Sequence, residues 1–461
     1  MNDKETRVPY KICSFDIEAS SSHGDFPVPV KTYKRLATNI IDVINKQLIE
    51  RKEGEIKLNE FIYSAFQIKP INEIDTVYPK TKVTKKQVDV LFNKWINSPM
   101  RDLKSSENLT ELLTIEKMFE KSHEDDDDTE YGYNKKEKVD DKYTILDILF
   151  DKTLTRETKI NKTSNSLNAV FPKLEGDKVT FIGSTFMTYG EKEPNMNHCI
   201  VLDSCKKIDG NNTIIESYKT EKEVLLAWQK VIQKEDPDII IGYNIFGFDY
   251  HFLFKRAEEN NCVEQFLKLS RNKDEICGNK EGDSSRYKLE ESSIVLASGQ
   301  HDLHFIKMNG RLQVDLYNFY RRESNLTSYK LDYVAGHFIG DMIKKYTYDK
   351  KKKETKIETS NMTGLLQGSY IHIEEIGHST EFYQDGAKFM VAEINKEEED
   401  ICIKENITPD DSKKLRWCLA KDDVTPKDIF RLSNGSAEDR GIVAKYCIQD
   451  CNLVHYLFNK S

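Results

Sequence analysis

The segment Tyr10-Lys11-Ile12-Cys13-Ser14-Phe15-Asp16-Ile17-Glu18 decides how this chain reads. Its apolar, β-prone body predicts a buried strand that ends in acidic and small residues. Side chains two apart in a strand leave the same face, so Asp16 and Glu18 point together. Two like charges at the end of an apolar strand cost free energy unless something offsets them, and a divalent cation does so. An Asp-x-Glu at a strand end also occurs simply solvated, so the pair must be weighed with what the rest of the chain brings to it.

Two more carboxylates fall where they can converge. Asp249 closes Gly242-Tyr-Asn-Ile-Phe-Gly-Phe-Asp249, just after the short apolar strand 238–243, where a strand-to-helix turn would expose it. Asp450 lies on a terminal helix predicted over about 437–458, with Tyr446 four residues earlier on the same face. Hard oxygen ligands at this density suit Mg²⁺ or Mn²⁺. The chemistry such a site serves is phosphodiester hydrolysis with two ions ~3.5–4 Å apart, and Tyr446 would orient the attacking water. Each piece has a plainer reading. The turn at 244–249 can cap a helix, and the Tyr446/Asp450 pair can be an exposed helix face. Phe246, Phe248 and Tyr250 either stack an unpaired base or pack in the core. Cys447 and Cys451, four apart, read as packing rather than ligation without a second pair.

Around these residues the chain alternates strands and helices, which indicates an α/β domain. Strands are expected at 178–187, 199–202 and 312–316, and a helix at 220–234 opened by the capping box Thr220-x-x-Glu223. Residues 33–50 place Leu36, Ile40, Ile41, Ile44 and Leu48 on one helical face. From 51 to 170 short periodic pieces, such as 88–96 and 109–119, alternate with charged linkers. This reads as an insertion of helices and mobile loop, loosest at 121–142. The expected organisation is therefore 1–50 as the start of the catalytic domain, 51–170 as the insertion, and 171–461 as the remainder, with a β-rich segment at about 340–425.

Composition excludes several classes. The 461 residues suffice for two or three domains, and a net charge of −9 with 32% charged residues describes a polar globular chain. The acidic run Glu124–Asp128 supplies five of the negative charges, while Lys344–Lys345 and Lys350–Lys353 form basic clusters. Those lysines suit either a DNA backbone or a solvated hairpin tip. Nine cysteines without paired C-x-x-C spacing read as reduced thiols. The charged N-terminus lacks an apolar signal region, and no run approaches the ~20 apolar residues of a membrane span. An intracellular protein is expected.

Phe15-Asp-Ile-Glu18, Gly242-Tyr-Asn-Ile-Phe-Gly-Phe-Asp249 and Tyr446-Cys-Ile-Gln-Asp450 resemble, in order, the three exonuclease motifs of family B DNA polymerases of the delta type, with a flavour similar to polymerases of large nucleocytoplasmic DNA viruses. Phe181-Ile-Gly-Ser-Thr-Phe186, Gly310-Arg-Leu-Gln-Val-Asp-Leu-Tyr317 and Asp428-Ile-Phe-Arg-Leu432 add to the likeness, which spans 10–42 and 175–458. It implies a ribonuclease H-like exonuclease fold, a mixed sheet flanked by helices, that removes mispaired 3′ nucleotides during DNA replication. By motif match Asp16, Glu18, Asp249 and Asp450 would hold two Mg²⁺ or Mn²⁺ ions, and Tyr446 would orient water. Asn244 and Phe248 would contact the substrate, and Asp315 would be structural. The implied partners are a single-stranded or frayed primer 3′ end, the remaining polymerase domains and a processivity clamp, at a nuclear or cytoplasmic viral replication site. The palm motifs are not found here, so a piece of a split or interrupted polymerase, or a truncated copy, is expected. The rivals are a non-catalytic scaffold fragment and a freestanding nuclease.

Overall fold

The apolar opening segment forms β1 (Lys11–Ser20), buried on both faces inside a six-stranded sheet. Its other strands are β2 (Lys178–Thr188), β3 (Met196–Leu202), β4 (Thr213–Tyr218), β5 (Ile239–Gly242) and β8 (Leu312–Asp315). A hairpin, β6 (Glu290–Leu296) and β7 (Gly299–Phe305), precedes β8. The computed structural model describes residues 9–103, 115–116, 118–119, 143–208, 212–280, 286–296, 299–410, 412–420 and 425–461. The acidic run Glu124–Asp128, the loop expected at 121–142 and most of 109–119 lie outside them.

The sheet order is β8-β5-β1-β2-β3-β4. β5 runs parallel to both β1 and β8, β3 is antiparallel to β2 and parallel to β4, so the sheet is mixed. On one face of β1, Phe15 packs against Trp228 and Tyr250 at ring-centroid distances of 5.0 and 5.3 Å. Trp228 belongs to helix 221–235, which opens with the expected capping box: Thr220 N–H donates to Glu223 at 3.0 Å and Glu223 N–H to Thr220 at 3.3 Å. On the other face, Ile12 and Ile241 meet Val454 and Leu457 of the last helix, Ala437–Lys460.

The chain divides into two compact units. One is residues up to Ser20 together with Val179–Ser461; the other is Ser21–Lys178. The inserted unit is wider than the expected 51–170, because helix 34–47 belongs to it. Leu36, Ile40, Ile41 and Ile44 join Leu58, Trp95 and Leu167 in a core of its own. Leu48 is not on that face. It is the helix C-cap in a left-handed conformation (φ 50°) and is 84% exposed. Within this core the Trp95 indole N–H donates to Ser166 at 2.8 Å, which satisfies a buried donor.

A second sheet, of eight strands between Gly340 and Ala420, lies in the first unit. Alternating inward residues such as Ile371, Ile373, Val391, Ile401 and Trp417 build its core. Lys350–Lys353 sit at the exposed tip of its 345–358 hairpin, where Asp349 accepts the Lys351 N–H at 2.7 Å. No helix among the described residues is long and apolar enough to cross a membrane.

Candidate active site

The site grows from one face of β1. Period-2 alternation sends Phe15 and Ile17 into the core and leaves Asp16 and Glu18 half-buried on the opposite side. The last helix lies over this side, and its Cys447 thiol donates to the Asp16 carbonyl at 3.7 Å. It approaches so closely because β2 has a glycine beneath it. A Cβ on Gly183 would stand 2.7 Å from Cys447 Sγ and 3.0 Å from Cys451 Sγ. Both cysteines are fully buried packing residues. The approach brings Asp450 to the strand: Asp16, Glu18 and Asp450 each offer one carboxylate oxygen, all within 4.8 Å of one another.

Asp249 reaches the cluster from a third element, as the first residue of helix 249–259 after β5. It is 3% exposed and close enough to Asp16 for its charge to act on that carboxyl, but it stands outside the group of three. The intervening turn is tightly specified. Asn244 adopts φ 63°, and its side-chain carbonyl lies over Gly247, where a Cβ would collide with it. The Asn244 N–H donates to Asp315 at 2.8 Å and the Phe246 N–H donates to Asp315 at 3.0 Å. Of the three aromatics beside Asp249, Tyr250 is wholly buried against Phe15 and thus a core residue. Phe246 leans on Tyr250 and Phe305, and Phe248, half-buried, on Phe252 at 5.3 Å.

Burial and mutual repulsion shape the electrostatics. Burial first, then the Asp249 charge, pushes the Asp16 carboxyl well above the usual carboxylate range. Glu18 is raised by burial, with Asp450 adding to it. Asp249 is pushed up to about 8 by burial and then by Asp315, against the opposing backbone amides of Asp249 and Ile17. A dication reverses this balance by giving the like charges a common counter-ion. Clustered, desolvated oxygen donors are the donor set that Mg²⁺ or Mn²⁺ takes, so the residues present fit such an ion.

Tyr446 and Asp450 line a cavity of about 50 Å³ together with Gln449, Asp332, Leu366 and Ser369. Burial first, then Asp450 and Glu18, raises the Tyr446 hydroxyl far above its usual range, so it stays protonated. Asp332 is a wall of this cavity, beside Tyr446 and Asp450, that sequence reasoning missed. An acidic residue in the first turn of a helix (331–338) reads as a helix-dipole partner, and nothing local marks it otherwise.

A sequence profile described as DNA polymerase family B, exonuclease domain, matches residues 93–334. The chain belongs to this family. The match takes in Asn244, Phe248, Asp249 and Asp315 but neither the strand of Asp16 and Glu18 nor the helix of Tyr446 and Asp450. The chain is 40% identical to the DNA polymerase of Phaeocystis pouchetii virus, over 99% of its own length and 46% of that protein. It is 34% identical to the DNA polymerase of Pyramimonas orientalis virus, over 98% of the chain and 34% of that protein. A shorter region, 37% of the chain, is 36% identical to the DNA polymerase delta catalytic subunit of Oryza sativa subsp. japonica and covers 14% of it. The chain thus spans less than half the length of these relatives, and it is a family B exonuclease region similar to viral polymerases.

Proposed function

We propose that this family B exonuclease domain hydrolyses nucleotides from the 3′ ends of DNA strands with the help of divalent cations, as the proofreading part of a replicative DNA polymerase. The observation that carries the reading is the convergence of Asp16, Glu18 and Asp450 to within 4.8 Å from opposite ends of the chain. The mixed sheet with helices on both faces supports a ribonuclease H-like fold, interrupted by the 21–178 unit.

Asp16, Glu18 and Asp450 would hold Mg²⁺ or Mn²⁺ with Asp249 alongside. Two such ions supply positive charge for both the attacking and the leaving oxygen of an in-line phosphoryl displacement. Tyr446, kept neutral, can accept a hydrogen bond from the attacking water or donate one to it and so orient it. Half-buried Phe248 would stack an unpaired base, and Asn244, half-buried in the same turn, would meet the strand. The substrate is a single-stranded or frayed primer end, and the partners are the remaining polymerase domains and a processivity clamp at an intracellular replication site.

The test is digestion of 3′-labelled and 5′-labelled single strands with Mg²⁺ or EDTA, beside Asp16→Ala. Stepwise Mg²⁺-dependent loss from the 3′ end, absent in the variant, is expected. Cleavage by Asp16→Ala at the wild-type rate sinks the assignment.

A further inference from the structure

We propose that Asp315 is a positioning residue: its carboxylate clamps the 244–248 turn and so sets where Asp249 stands beside the Asp16, Glu18 and Asp450 cluster. This inference rests on the proposed function.

Asp315 ends β8, directly opposite Gly242 of β5 in the parallel register. It is 5% exposed, and both of its oxygens are engaged. Oδ1 accepts from Asn244 N–H at 2.8 Å and from Tyr317 N–H at 3.0 Å. Oδ2 accepts from Phe246 N–H at 3.0 Å and from Asn318 Nδ2 at 3.3 Å. Two of these four donors belong to its own helix start and fix the carboxylate. The other two are alternate amides of the turn that delivers Asp249.

The turn also carries backbone bonds of its own: Gly247 N–H and Phe248 N–H donate to the Asn244 carbonyl at 3.0 and 2.9 Å, and His304 N–H donates to the Phe246 carbonyl at 2.7 Å. A Cβ on Gly242 would run into Ile245, and one on Gly247 into the Asn244 side chain, while Asn244 itself occupies the left-handed region. Asparagine tolerates that region better than most residues but does not enforce it. The two amides held by Asp315 add what those backbone bonds do not: they tie the turn to the end of β8. Four donors converging on two oxygens require a carboxylate. An amide would present its NH₂ to at least one backbone N–H and leave that donor unsatisfied.

The test compares wild type with Asp315→Asn by Mn²⁺ binding to the whole chain, by the Mg²⁺ dependence of 3′ cleavage, and by kcat and KM for the strand. Loss of a group that orients a ligating side chain typically weakens metal affinity or activity about 10–100-fold. The expectation is a loss of that size in Mn²⁺ affinity and in kcat, with a smaller rise in KM because Asn244 and Phe248 share the turn, and a modest fall of the melting temperature in EDTA from the unsatisfied amide. Asp315→Asn added to Asp249→Ala is expected to cost no further Mn²⁺ affinity, because the clamp reaches the metal through Asp249. Should the asparagine variant not fold, Asp315→Glu keeps the charge and reaches one methylene further. It is expected to bind Mn²⁺ more weakly than wild type. Metal binding and cleavage that superimpose on wild type overturn this inference alone, as does an undiminished loss of Mn²⁺ affinity in the Asp249→Ala background. Absence of Mn²⁺ binding by wild type overturns the proposed function and this inference with it.

Discussion

Gly183→Ala tests whether the closeness of the last helix to β2 is what assembles the carboxylates. The new Cβ would meet Cys447 Sγ at 2.7 Å, Cys451 Sγ at 3.0 Å and the Cys447 carbonyl at 3.1 Å. Against a comfortable separation of ~3.5 Å, the worst overlap is about 0.8 Å. The carbonyl belongs to the helix backbone and cannot rotate away, so the helix must lift off the sheet. Forcing extra volume into a packed core costs about 1–3 kcal/mol. Lifting the helix also carries Asp450 and Tyr446 away from Asp16 and Glu18, and a ~1 Å misplacement at a reacting centre costs about 100-fold in rate. Melting in EDTA and single-turnover digestion of a 3′-labelled strand are the assays. A modest loss of stability with a disproportionate loss of rate is expected. Replacing Cys447 and Cys451 by alanine makes room for the methyl, so the triple variant should recover part of the rate relative to a Cys447→Ala/Cys451→Ala reference. Gly183→Ala with the wild-type melting temperature and rate would refute the argument.

Tyr446→Phe removes the hydroxyl and little volume, so it should slow single-turnover cleavage while leaving strand binding intact; an unchanged rate removes the tyrosine from the chemistry. Asp249→Asn should melt higher than wild type in EDTA at pH 7. The folded carboxyl, raised to about 8, contributes stability that is complete below its unfolded value of about 3.9 and is lost as the pH climbs through 8. The difference is on the order of a few kcal/mol at pH 7 and closes near pH 4. Mg²⁺ should raise the melting temperature of wild type more than that of the variant. An equal response to Mg²⁺, or a variant that melts lower in EDTA at pH 7, contradicts the burial and Asp315 repulsion argued for Asp249.

What was legible in the sequence was local. The alternation in β1 shows as an apolar run with Asp16 and Glu18 two apart, the helix at 221–235 shows through its capping box, and the last helix shows through its periodicity. What stayed hidden depended on distant partners. Helix 34–47 is amphipathic toward whichever core it joins, and its spacing does not tell the sheet from the inserted unit. Among the described residues strand Thr213–Tyr218 pairs with β3 alone, and its short polar-flanked sequence gives no strong period. Leu48 fits the apolar stripe of its helix, yet the chain turns left-handed there and exposes it. At the site, Asp332 carries no local mark, and Asp315 shows its four donors only when β8 lies beside β5.

The sheet order explains why residues so far apart in sequence can form one site. β5 lies between β1 and β8, so the turn leaving β5 emerges beside the acidic end of β1 and is gripped from the other side by the end of β8. β2 lies on the far side of β1 and offers Gly183 as the seat for the last helix. Two contacts from opposite flanks, the Asp315 clamp and the Gly183 seat, therefore set the two carboxylates that β1 does not itself supply. Asp16 and Glu18 are fixed by the pleat of a strand buried on both faces, whereas Asp249 and Asp450 are only as well placed as those flanking contacts. Changes at Asp315 and at Gly183 should accordingly act on separate carboxylates. Because Asp249 and Asp450 both bear on Asp16 and on one metal site, a double variant should depart from the sum of the single losses in metal affinity.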